Sequence, residues 1–453
     1  MSQDPPPLGW LGILRLGLVQ TALGAVVVLT TSAINRVMVV ELALAATVPG
    51  LLVGLHYAVQ ISRPRMGHGS DVGGRRTPWI VGGTAVLALG GTGAAVSVAV
   101  VEAAGLFAGL AVAVLSFLLI GGGIAAAGTS LLVLLAARVA PERRAAAASL
   151  VWIMMIAGFV VTTAAAGRLL DPYSPARLVA VSAGVCALAF LLASVAVWGV
   201  EPRRAPAAPA VEAAPARPAF RDALRQVWAE RDARRFAVFV FVSMLAYSAQ
   251  DLIVEPFGGA VFALSLGETT RLASVQHGGV LLGMVAVALA GSMRASDRTG
   301  RLRWLTVGGC VGAAVSVLGL AALGLLGEAR PIAAACFAVG LGDGVFAAGA
   351  IASMMHLAGH GGEGRAGIRM GVWGAAQAIA FGLGGLAGTA AVDGARLALG
   401  ASPSAAYGLV FAADALLFLW AAFLAVRVGR ANGAAADGEA PHSASAGLGA
   451  RLA

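Results

Sequence analysis

The sequence predicts an all-α integral membrane protein, a bundle of twelve transmembrane helices arranged as two pseudo-symmetric six-helix halves. Three observations lead there. Of the 453 residues, 59% are hydrophobic and 12% charged, whereas about a quarter of a soluble globular chain is charged, so this chain belongs in lipid. A charged, glycine-rich turn, RPRMGHGSDVGGRRTP from Arg63 to Pro78, is wedged between two apolar segments each long enough to cross a bilayer. A looser copy, GSMRASDRTGRLRW from Gly291 to Trp304, puts Asp297 half a chain after Asp71, the mark of an internal repeat.

Stretches of about twenty apolar residues place the spans in order. The first, 14–34, follows MSQDPPPLGW, which lacks the basic region and cleavage site of a secretory signal, so this span is expected to stay as a structural helix. The second, 45–62, ends at the charged turn, and the third, 79–100, begins after it. Only the weak break at Glu102 to Gly105 separates the third from the fourth, 107–134. The fifth and sixth, 146–167 and 178–199, complete the first half, 1–200. An alanine-, proline- and arginine-rich linker at 201–235 is expected to start extended. It would end in an amphipathic helix, RDALRQVWAERDARRF, with Leu224, Val227, Trp228 and Phe236 toward the membrane surface. Spans 236–256, 272–293, 304–326, 332–356, 370–391 and 406–428 form the second half, 236–430, before a small polar tail at 431–453 that is expected to be disordered. A second echo supports the repeat: ERRAAAASLVW, ending at Trp152, matches EGRAGIRMGVW, ending at Trp373. Both tryptophans are expected to anchor at the membrane interface.

There is no lysine, and sorting the 31 arginines by this topology puts 25 on one face and 6 on the other. By the positive-inside rule the rich face is cytoplasmic, with both termini and the linker. The net charge of +9 therefore reports topology and some affinity for anionic lipid; no aromatic-interleaved basic domain supports nucleic-acid binding. Cys186, Cys310 and Cys336 fall singly inside spans without CxxC spacing and read as small apolar residues. An enzyme is not expected: there is no nucleophile–base pair, metal cluster or phosphate loop, and Gly121 to Gly123 is a helix-packing run.

Gly67, Asp71, Gly74, Arg75 and Arg76 resemble the GxxxD-x-x-GRR loop between helices 2 and 3 of the major facilitator superfamily. Asp297, Arg298, Gly300 and Arg301 supply the second-half copy. The resemblance implies a conformational latch on the cytoplasmic edge. Val72 replaces a usual basic residue, and Met293 an expected glycine, so the second latch is degenerate. Three longer stretches carry a narrower likeness: NRVMVVELALAATVPGLLVGLHYAVQISRPRMGHGSDVGGRRTPWIVGG, YSAQDLIVEPFGGAVFALSLGETTRL and MGVWGAAQAIAFGLGGLAG. They are similar to the bacteriochlorophyll delivery family, the PucC- and LhaA-type light-harvesting assembly proteins. This likeness implies a protein of the bacterial inner, photosynthetic membrane that delivers bacteriochlorophyll to antenna polypeptides of light-harvesting complex 1 or 2. Antenna polypeptides, pigment-synthesis enzymes and the bilayer itself are the implied partners. The approach to the eleventh span, HLAGHGGEGRAGIRMG, departs from the pattern and leaves the subtype open.

Against that background His56, with Gln60 one turn on, and His277, preceded by Gln276, are candidate ligands for the magnesium of a chlorin; interhelical hydrogen bonding is the alternative for each. His68, His356, His360 and His442 lie at or near loops and are weaker candidates. Asn35, Arg36 and Glu41 bracket the outer end of the first span, where arginine and glutamate pair or bind pigment or an antenna polypeptide. Gln250, Asp251 and Glu255 lie in the seventh span, with Asp251 and Glu255 on one helical face as a candidate proton site. Pro256 and Gly258 suggest that Glu255 is already leaving the membrane. Asp343 and Gln377 either line a central cavity or join helices. The competing function is proton-coupled transport of a small hydrophobic or anionic solute. A transporter calls for a polar, ionisable cavity, whereas pigment delivery calls for apolar grooves with isolated histidine or glutamine ligands, and the charge-poor spans favour delivery.

Overall fold

The computed structural model describes residues 7–63, 75–140, 143–201, 225, 228–292, 298–359, 366–398, 400 and 402–427. Among them are thirteen α-helices. The first half holds α1 (Trp10–Leu29), α2 (Thr47–Val59), α3 (Thr77–Ala104), α4 (Leu106–Arg138), α5 (Arg144–Leu169) and α6 (Pro175–Val197). The second holds α7 (Arg231–Asp251), α8 (Val254–Phe262), α9 (Leu266–Ser292), α10 (Arg298–Leu326), α11 (Ile332–Gly359), α12 (Ala366–Ala398) and α13 (Pro403–Arg427). Eleven helical stretches are long and apolar enough to cross a membrane, and α2 is a shorter apolar helix, so the twelve expected spans are all present as helix.

The differences from expectation lie at the ends and have local causes. The first span runs on through two π-helical turns, Thr30–Ile34 and Val37–Glu41. Helix α2 with its 3₁₀ turn at Gln60–Ser62 is only about 24 Å long. The weak break between the third and fourth spans is a single residue, Gly105, at φ +89, which glycine adopts without the Cβ clash that other residues meet. The seventh span is split: α7 stops at Asp251 and α8 starts at Val254, with Pro256 in its first turn, where the missing N–H is harmless. Glu255 therefore does not leave the bundle but sits in that first turn, 4% exposed.

Each packing pair in one half has its counterpart in the other. Helix α3 lies against α4 and α6, α1 against α5 and α6, and α2 against α4; correspondingly α10 lies against α11 and α13, α7 against α12 and α13, and α9 against α11. Glycines at matching places let these helices touch. A Cβ on Gly123 would come within 2.6 Å of the Leu87 nitrogen, and one on Gly342 within 2.5 Å of the Ala313 nitrogen. Each half has its own buried apolar core. Across the halves, α5 packs on α9 and α2 on α12, with Ile156, Val280 and Met284 sealing the first of these contacts.

Two expectations about aromatic residues are corrected. Trp373 is not an interface anchor: it is buried, donates from Nε1 to the Ala233 carbonyl at 3.2 Å and packs on Phe236 with ring centres 4.8 Å apart. Phe236 belongs to the core of the second half and not to a surface helix, because α7 begins five residues before it and turns it inward. Trp152 is 37% exposed. The linker residues 202–224 and the tail from 428 lie outside the described residues.

Candidate functional site

A small cavity lies between the two halves. Its walls are Val28, Thr31 and Ser32 from the end of α1 and its first π turn, Asp251 from the end of α7, Val254 and Glu255 from α8, and Ala273, Gln276 and His277 from α9. The break between α7 and α8 explains why both carboxyls reach it. Asp251 and Glu255 no longer share one continuous helix, yet the intervening turn at Leu252 and Ile253 keeps both on the cavity side. Glu255 Oε2 and Ser32 Oγ are both buried, and Ser32 is the hydroxyl that faces the Glu255 carboxyl.

The two expected histidine ligands are placed very differently. His56 is 2% exposed, and its Nε2 lies 2.8 Å from Gln60 Nε2. Arg63 donates to Gln60 Oε1, which fixes the amide so that its NH₂ group points at the ring and uses the imidazole lone pair. His56 also packs on Tyr57, with ring centres 4.5 Å apart, and Tyr57 in turn on Phe381 of α12 across the half boundary at 5.5 Å. His277 is held from its other side. Its Nδ1 donates to the Ala273 carbonyl at 2.8 Å, which leaves Nε2 as the lone-pair nitrogen, and Phe159 of α5 meets the ring edge-on at 5.0 Å. That pattern, one nitrogen fixed by a backbone carbonyl and the other available, is the usual support for a histidine metal ligand.

The remaining expected residues join elements. Asn35 donates to the Leu252 carbonyl at 2.8 Å, and Arg36 donates to the Leu264 carbonyl at 2.7 Å while pairing with Glu41, so the end of the first span is bound to the second half. Gln250 donates to Asp343 Oδ2 at 2.5 Å and joins α7 to α11. Gln377 makes a long contact to the Met244 sulfur, at 4.0 Å. Of the latch, Gly67, Asp71, Gly74 and Asp297 lie outside the described residues, as does the side chain of Arg298. The Arg76 and Thr77 backbone nitrogens donate to Glu201, and Arg301 donates to the Ala290 carbonyl at 3.0 Å.

Sequence reasoning passed over three acids. Asp414, on α13, is 2% exposed, and neither of its oxygens has a hydrogen-bond partner; a lone acid in a long apolar run was the available signal. Asp171 and Asp393 each accept hydrogen bonds from the first turn of a helix in the opposite half. Asp171 takes Gly267 N at 2.9 Å and Ser265 Oγ at 3.0 Å, and pairs with Arg271 at 3.3 Å. Asp393 takes Ala46 N at 3.0 Å, Thr47 N at 2.7 Å and Thr47 Oγ1 at 2.6 Å. Their signal was positional, since each follows one of the paired tryptophans by about twenty residues.

The model of the family described as PUCC protein matches residues 33–433. The chain is 50% identical over 430 residues to a Rhodobacter capsulatus protein named bacteriochlorophyll synthase 44.5 kDa chain, covering 94% of this chain and 97% of that one. It is 32% identical to protein PucC of Cereibacter sphaeroides, covering 90% of each. Among solved structures it superimposes on a bacterial homolog of the human lysosomal transporter Spinster in an inward-facing, unoccupied conformation, with a TM-score of 0.62 at 15% identity, covering 93% of this chain and 96% of that one. The nucleoside transporter NupG gives 0.60 at 13%, covering 92% and 99%. At such identities the likeness is one of fold, the fold of major facilitator transporters.

Proposed function

The chain belongs to the PUCC protein family, and from that premise we propose that it binds bacteriochlorophyll and hands it to light-harvesting antenna polypeptides during their assembly. The observation that carries this reading is His277. It offers a lone-pair nitrogen, its ring fixed by the Ala273 carbonyl, in a small cavity between the halves where Val28, Val254 and Ala273 stand beside the polar Thr31, Ser32, Asp251, Glu255 and Gln276. A chlorin magnesium needs one such ligand. The bilayer-spanning helices suit a cargo drawn from lipid, and the arginine-rich face is read as cytoplasmic in a bacterial photosynthetic membrane. Antenna polypeptides of complex 1 or 2, and pigment-synthesis enzymes, are the proposed partners. The relative's name mentions a synthase; delivery without catalysis is preferred here because the fold is that of transporters.

The cavity is far smaller than a tetrapyrrole, so pigment bound at His277 requires the halves to part. A second reading, proton-coupled transport of a small hydrophobic or anionic solute, is favoured by Asp251 and Glu255 on the same cavity wall, since membrane-buried acids mark proton and ion pathways. The deciding experiment is purification of the tagged protein from a photosynthetic host in mild detergent, with near-infrared absorption and pigment analysis. Stoichiometric bacteriochlorophyll, lost in His277→Ala, is expected. A protein colourless before any stripping wash would transfer the assignment to the transporter and its acids.

A further inference from the structure

The two aspartates that reach across the halves share one design. Asp171 follows α5 and binds the first turn of α9; Asp393 lies near the end of α12 and binds the first turn of α2. Under the pseudo-twofold relation α5 corresponds to α12 and α9 to α2, so these are two copies of one contact. Both lie on the arginine-poor face. A helix normally draws its cap from the residue just before it, but the residue before α2 is Ala46, which has no side-chain acceptor, and Asp393 supplies the missing acceptor from the other half. Helix α9 already has a capping box, Ser265 with Glu268, and Asp171 adds a bond to Gly267 N. Gly167 and Gly267 bring the backbones together at that point: a Cβ on Gly167 would come within 2.8 Å of the Gly267 carbonyl oxygen. The bonds of Asn35 to Leu252 and of Arg36 to Leu264 tie the halves on the same side, so the cavity lies beneath a set of inter-half bonds.

We infer that Asp171 and Asp393 form a paired clasp that holds the halves shut on the arginine-poor face, and that release of both opens that face to the inter-half cavity. Each clasp is a carboxylate on free helix N–H groups, a charge-assisted bond that adds the attraction of the helix dipole. Each acts at the end of a cross-half helix pair, α5 with α9 and α2 with α12, where a small hinge motion gives the widest parting. The inference does not depend on the cargo.

The test uses the full chain with Thr31→Cys as a probe in the cavity wall; the native Cys186, Cys310 and Cys336 are buried, and the chain without the probe gives their background. A membrane-impermeant maleimide is applied to the arginine-poor side of sealed membranes, with that side identified by a terminal tag. Labelling of Thr31→Cys is expected to be slow with both aspartates present and faster by about tenfold or more in Asp171→Ala/Asp393→Ala, with each single variant between them. Equal labelling in the inserted, monodisperse double variant would overturn the clasp. Should the alanine pair fail to insert, Asp171→Asn/Asp393→Asn keeps an acceptor at each cap. Labelling faster than the parent would then support the clasp; if labelling stays at the parent rate, Asp171→Ser/Asp393→Ser, whose side chains are too short to reach the opposite helix, decides, and a parent rate there overturns it. Because the readout needs no pigment, its failure is distinct from failure of the delivery reading.

Discussion

At the scale of single residues, the two histidines make opposite predictions. His56 is spent on Gln60, so His56→Ala leaves a buried amide N–H without a partner and should cost about 1–3 kcal/mol, seen as a lower thermal midpoint in detergent. The purified protein should still carry its pigment. His277→Ala removes the available nitrogen and should deplete pigment with a smaller loss of stability; equal effects from both variants would remove the distinction. Asp414 gives a third prediction. Its two oxygens are buried without partners, so Asp414→Leu should hold or raise the thermal midpoint, by up to about 1–3 kcal/mol, and a fall would reveal a partner that forms in another conformation. Sequence alone named both histidines, because an imidazole in an apolar span is conspicuous. It did not separate them, since the separation depends on Arg63 fixing Gln60 and on Phe159 of another helix meeting His277.

At the scale of elements, the helices were legible and their junctions less so. Twenty-residue apolar runs declare themselves, and Gly105 alone divides α3 from α4. The turn at Leu252 and Ile253 was not read because Pro256, the visible breaker, sits inside the first turn of the following helix and not at the break itself. The paired glycines carry a prediction here. Gly123→Val and Gly342→Val place branched side chains against backbone in equivalent helix pairs, and each should destabilise by about 1–3 kcal/mol. At Gly122 an added Cβ meets nothing within 4 Å, so Gly122→Val should be close to neutral. Thermal unfolding of the three variants in one detergent checks the set, and loss of stability in Gly122→Val alone would contradict the repeat as drawn.

At the scale of the whole molecule, the repeat visible at Asp71 and Asp297 is expressed as matching helix pairs, but the contacts that join the halves left no local trace. Thr47 and Asp393 are 346 residues apart; the spacing from Trp373 marks Asp393 as a repeat position, but nothing near it points to Thr47 as its partner. That bond offers a direct way to ask whether pigment passes between the halves. Thr47 Oγ1 and Asp393 Oδ2 are 2.6 Å apart, so cysteines at both positions are within reach of a short bis-methanethiosulfonate, which replaces the clasp with a reducible bridge. The bridge would hold α2 against α12, and the cavity would stay smaller than a tetrapyrrole. With Thr47→Cys/Asp393→Cys bridged, pigment loading of antenna polypeptides in isolated membranes should fall to the level without the protein. Reduction should restore loading to that of the unbridged dithiol. Loading that persists through the bridge would mean that pigment travels along the lipid-facing surface, where a fixed pair of halves is no obstacle.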